Sequence, residues 1–198
     1  MIPGRNTRQF LLLFAALLLA LVAIYADIRV LKNGMKETSL VEAAQAILIL
    51  GSGIFFAVSA RKDTEKRAYL AFVATLFLCM FVRENDAYLD VITHGFWRVP
   101  VLVILCIGAL VFIPNRKTFG SAARLHAQDS SFWIMVIGIL QLVVFSRLFG
   151  SSQLWSHVVS QEVGTIKTVV QEGTELMGYA LIFVGAYLSH RHRYGEEA

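Results

Sequence analysis

The chain has 198 residues, of which 57% are hydrophobic and only 16% are charged. A soluble domain places about a quarter of its residues as Asp, Glu, Lys and Arg, so this composition, with a mean hydropathy of +0.63, excludes an ordinary soluble fold and points to lipid-facing surface. The formal charge of +4 and the pI near 9.2 do not indicate nucleic acid, because the basic residues stand in short clusters between apolar spans and form no aromatic-interleaved patch.

Residues 1–8 carry Arg5 and Arg8, and residues 10–26 then run apolar. That run is longer than the ~7 to 15 residue apolar core of a signal peptide, so it is expected to be a retained first helix. The connection that follows contains Asn33-Gly34, a turn signal, and Thr38-Ser39, where a helix N-cap belongs. A second helix is expected over 40–60, close to the ~20 residues a bilayer requires. Glu42 and Gln45 lie three apart near its start, on one face. A polar connector over 61–67 leads to a third helix over 68–87. A fourth helix, 99–113, has Pro100 in its first turn and Trp97 in the interfacial belt before it. The segment 115–131 reads as a plain polar connection.

The fifth helix, 132–150, carries Gln141 in its middle and Arg147 near its end. From 151 to 168, Trp155, Val159, Val163 and Ile166, with Val170 just beyond, recur at helical spacing and predict an amphipathic segment that lies on the membrane or extends the last helix. The sixth helix, 169–189, has Gln171, Glu172 and Glu175 in its first turns. Cys79 and Cys106 lie in apolar runs without CxxC spacing, as core cysteines do.

Eleven of the eighteen Lys and Arg residues fall at the N-terminus, in 61–67, in 115–131 and in the tail. By the positive-inside rule, both termini are cytoplasmic. The expectation is an all-α polytopic protein of the inner (plasma) membrane of bacterial type: one domain of six transmembrane helices. Nine of the fourteen acids then fall on the outer side, and separate helices deliver carboxylates to one face of the membrane.

The segment 81–98 concentrates Arg83, Glu84, Asp86, Asp90, His94 and Arg98 in this apolar chain. At about 100° per residue, Arg83, Asp86, Asp90 and His94 share an arc of roughly 80° and form one stripe. Glu42 and Glu175 arrive at a similar depth from other helices. The expected ligand site is therefore an outward pocket of Glu42, Arg83, Glu84, Asp86 and Glu175. Asp90 and His94 are candidate ligands of a divalent metal, since carboxylates with imidazole suit zinc, manganese or iron. Each of these residues also has a plainer reading: snorkelling acids at helix ends, Arg83 paired with Glu42 or Glu175, and Asp90 with His94 as a helix-surface pair.

The expected function is binding of a cation or polar head group by a small transporter or membrane enzyme. A metal-dependent lipid hydrolase embedded in the membrane is one alternative. A non-catalytic assembly subunit, docked on a membrane-protein partner, is another. The implied partners are the lipid bilayer and a head group or small ion, with no nucleic acid. No HExxH, Ser-His-Asp arrangement or phosphate-binding Gly loop is present. His126, His190 and His192, on the cytoplasmic side, are expected to be solvated.

Overall fold

In hydrocarbon a backbone has no water to bond, so runs of about twenty apolar residues must satisfy their peptide groups internally, as helices. The computed structural model describes residues 4–33, 35, 39–156 and 163–194, and among them it is all-helical, without a strand. In chain order, α1 (Arg5–Tyr25) runs on into a π-helical turn (Ala26–Leu31), followed by α2 (Leu40–Lys62), α3 (Arg67–Glu84), the short α4 (Asp86–Leu89) and α5 (Arg98–Asn115). A 3-10 turn (Arg116–Thr118) leads to α6 (Phe119–Ala127). α7 (Ser130–Leu140) passes through a π segment (Gln141–Phe145) into α8 (Ser146–Phe149), and α9 (Ser152–Ser156) and α10 (Val163–Tyr194) complete the order.

Among the described residues, four helical stretches are long and apolar enough to cross a membrane: Asn6–Leu31, Leu40–Lys62, Arg98–Ala127 and Ser130–Phe149. The segment 115–131 is not a plain connection, because α6 occupies its centre. α6 escapes a search for large apolar residues because its buried face is Ala122 and His126. Of the amphipathic segment expected over 151–168, α9 covers one end and the first turn of α10 the other, while 157–162 lie outside the described residues.

Two compact units divide the chain. The first comprises Met1–Gln45 and Ile134–Val184. Its α7 and α10 meet backbone to backbone: a Cβ on Gly138 would stand 2.7 Å from the Gly178 carbonyl oxygen, and one on Gly178 would stand 3.0 Å from that of Gly138. Small residues that admit such approach replace the hydrophobic driving force that lipid cannot supply. The start of α2 is tied down by Asp27, which is fully buried. Its Oδ1 accepts the Leu40 N–H at 3.1 Å and the Asn33 amide at 2.6 Å, and its Oδ2 accepts the Val41 N–H at 2.8 Å. Ser39 Oγ accepts the Glu42 N–H at 3.2 Å, as an N-cap does.

The second unit comprises Ala46–Trp133 and Gly185–Ala198, and α3 is its most buried helix, with Tyr69, Leu70, Val73 and Phe77 inside. Phe56 of α2 meets Phe77 edge to face at 5.8 Å, and Phe72, Phe112 and Phe119 join α3, α5 and α6 in a second ring cluster. α5 packs on α3 yet buries none of its residues fully, the pattern of a helix with lipid on most of its circumference.

A carboxylate that caps a helix from 13 and 14 residues away has no substitute nearby. Asp27→Ala is expected to lower unfolding free energy in mild detergent by about 2 to 3 kcal/mol, from the loss of charge-assisted bonds to two backbone N–H groups. Titration with SDS, followed by circular dichroism, measures it, and Ser39→Ala is expected to cost about 1 kcal/mol.

Candidate polar site

The expected site residues divide between the units: Glu42 and Glu175 belong to the first, and Arg83, Glu84, Asp86, Asp90 and His94 to the second. In the second unit, α3 ends at Glu84 and Asn85 separates it from α4. Arg83 is bonded to Asp86, three residues on, in an exposed ion pair. The Arg83 guanidinium also lies 5.9 Å from the ring of Trp97, with that of Arg98 at 5.7 Å. Trp97 thus meets two cations immediately before the apolar stretch that begins at Arg98.

Asp90 shapes the turn that follows. Its Oδ1 accepts the Gly95 N–H and its Oδ2 meets His94 Nδ1, both at 2.9 Å. Gly95 adopts φ +81°, a left-handed conformation that suits glycine, and this lets the chain fold back onto the carboxylate. The His94 side chain is 98% exposed. Among the described residues no three His, Cys, Asp or Glu side chains converge as a metal centre requires.

In the first unit, the polar residues of α2 and α10 meet inside the apolar helices. Gln45, at the same face as Glu42, is fully buried. Its amide donates to the Glu172 backbone carbonyl at 3.0 Å and to the Glu172 carboxylate at 3.3 Å. Its own carbonyl oxygen, Oε1, has no hydrogen-bond partner among the described residues. One turn along α10, Glu175 Oε1 accepts the buried Ser146 hydroxyl at 2.6 Å and the Gln171 amide at 3.1 Å.

The π segment before α8 sets this arrangement. Ser146 N–H bonds back to the Gln141 carbonyl, and the Gln141 side chain reaches the Thr174 carbonyl at 3.5 Å. Gly150 closes the same end, where a Cβ would lie 2.5 Å from Gln171 Oε1. Two carboxylates and three amides are therefore assembled from α2, α7–α8 and α10, with the amides donating to carboxylate and backbone oxygens and the Gln45 carbonyl oxygen left as an acceptor.

The three histidines expected to be solvated are instead built into the second unit. His126 is 5% exposed; its Nδ1 shares a hydrogen bond with the Tyr69 hydroxyl at 2.6 Å and its Nε2 lies 3.3 Å from Ser131 Oγ. His190 Nδ1 bonds Ser59 Oγ at 2.9 Å, and His192 Nδ1 bonds Asp129 Oδ2 at 3.0 Å. Lys66, His126, Asp129, Ser189 and His192 line a small cavity of about 210 Å³. No sequence period reveals this cluster, because α6 and the end of α10 lie more than sixty residues apart.

Burial pushes the Asp129 carboxyl up, but the Ser131 N–H at 2.9 Å and the His192 imidazole outweigh it and hold the group below its ordinary range. A carboxyl depressed in the folded state contributes stability above the unfolded value near 4, and that contribution disappears as pH falls through the lower folded value. Asp129→Asn is accordingly expected to destabilise the protein by about 1 kcal/mol at neutral pH. The gap to wild type should close below about pH 4, which SDS unfolding at a series of pH values reads directly. Comparison with protein-family models, curated proteins and solved structures gives no match for this chain.

Proposed function

We propose that this chain is a six-span protein of the inner membrane, both termini cytoplasmic, that binds a cation or the cationic part of a polar head group in its first unit and serves as a small transporter or membrane enzyme. The observation that carries the reading is the Gln45 carbonyl oxygen, fully buried and without a partner among the described residues, on a side chain whose amide nitrogen bonds the Glu172 carboxylate. An orphaned buried acceptor costs about 1 to 3 kcal/mol, and a bound cation relieves that cost. Ionisable groups at membrane depth are expensive and mark ligand or ion paths. Glu42, Glu172 and Glu175 supply negative charge, and Gln171 and Ser146 orient Glu175.

In this reading α3, of 18 residues, and α10 complete the six spans alongside the four long apolar stretches. Arg83, Glu84 and Asp86 form the outward boundary of α3, as an ion-paired and aromatic-shielded rim. The metal-dependent hydrolase draws less support, because among the described residues no three His, Cys, Asp or Glu side chains come together around Asp90 and His94.

The test is thermal stability of the purified protein with sodium, magnesium, choline or ethanolamine added singly. One of the four is expected to raise the melting temperature, a stabilisation of about 2.7 kcal/mol at a hundredfold excess over Kd. Gln45→Leu should remove that response while leaving the protein folded, and Glu175→Gln should weaken it. No response to any of the four, or an unchanged response in Gln45→Leu, rejects the reading. The orientation is tested separately by membrane-impermeant thiol labelling of intact cells in a background lacking Cys79 and Cys106. Asp90→Cys should react from outside and Lys117→Cys only after permeabilisation; the reverse pattern rejects the topology.

A further inference from the structure

In the second unit, α2, α3 and α5 enclose a groove of about 580 Å³ that shares no residue with the site proposed above. Its wall is small and aliphatic, including Ala57, Ala74, Leu78 and Ile107. The one hydroxyl on that wall, Thr75, is spent on the Ala71 carbonyl at 2.7 Å. One end is different: Arg61 and Arg67 stand there with Asn115, and no acidic side chain lines the groove. Arg61 is exposed, and Arg67 is anchored at the mouth by its Nε–H to the Ala60 carbonyl at 3.1 Å.

Length identifies the occupant. The groove follows α3 from Arg67 to Leu78 and α5 from Ile104 to Asn115, which at ~1.5 Å per residue is about 16 Å along each helix. The hydrocarbon layer is ~30 Å thick, so the groove is one leaflet deep. An apolar slot of one-leaflet depth, ending on two guanidinium groups with no acidic side chain in its lining, matches an acyl chain joined to a phosphate. Guanidinium binds phosphate through paired N–H donors, and basic pockets between helices at the cytoplasmic boundary are where anionic head groups are held.

We propose that this groove binds one anionic phospholipid, with an acyl chain along α3 and α5 and its phosphate on Arg61 and Arg67. The assignment to the inner leaflet rests on the orientation proposed above; the site itself does not.

Native mass spectrometry of the full chain in detergent tests it, titrated in turn with phosphatidylglycerol, phosphatidylcholine and inorganic phosphate. Phosphatidylglycerol is expected to bind at least about tenfold more tightly than phosphatidylcholine, and Arg61→Glu to weaken it about tenfold, from the loss and reversal of one interfacial charge. Ala57→Leu, which fills the groove and leaves both arginines, should weaken it as well. Lys117→Glu, an exposed charge change outside the groove, should leave affinity within about twofold of wild type. Retained helicity by circular dichroism qualifies each variant. The proposal is overturned if phosphatidylcholine binds equally or if Ala57→Leu binds like wild type. It is equally overturned if Lys117→Glu is as damaging as Arg61→Glu, which would mean diffuse attraction, or if inorganic phosphate displaces the lipid at equal concentration.

Discussion

An apolar solvent removes the force that assembles soluble proteins, and what remains to join helices is direct bonding between polar groups and close approach of backbones. The first unit depends on that constraint throughout. Gly138 and Gly178 let two helices touch at the main chain, while Asp27, Gln45, Ser146 and Glu175 each bond a residue remote in sequence. Of these, Gln45, Ser146 and Glu175 both hold the helices and form the candidate site. Structure and binding are therefore hard to separate here by simple deletion, and a near-isosteric change such as Gln45→Leu is more informative than truncation.

The second unit solves the problem with rings. Phenylalanines from α2, α3, α5 and α6 interlock, and His126 sits among them, 5.5 Å from both the Tyr69 and Phe132 rings. An imidazole in such a place supplies what phenylalanine cannot, a hydrogen bond at each end, to Tyr69 and Ser131. Asp129 and His192 extend the polar seam to the chain's last helix. Aromatic packing gives this unit its bulk and the histidines give it register.

Much of the helical layout was legible in the composition. Apolar blocks fall where the long helices are, α2 begins at the expected residue, and Ser39 caps it. What escaped has a common cause: the partner is far away in sequence or the buried face is small. Asp27 reads as the end of one helix, and nothing local says that it caps the next. α6 hides because alanine and histidine carry its buried face. Gln45 and Glu175 stand out as polar residues in apolar runs, yet their partners Glu172 and Ser146 are set by tertiary contact, which periodicity does not encode. Arg83 finds its bonded partner three residues away in Asp86, a local solution that a search for distant acids overlooks.

The π segment at Gln141–Phe145 carries a consequence for register. A π turn holds one residue more than an α turn, so the side chains of α8 are displaced by about 100° from where a continuous α-helix would aim them. Ser146 faces Glu175 only because of that phase slip. The helix thus works as two α-helical pieces out of step by one residue, each addressing its own neighbours. Removing a single residue from the segment would leave α7 seated at Gly138 while turning Ser146 and Arg147 away from their present directions. The identity of the residue removed would matter less than the count.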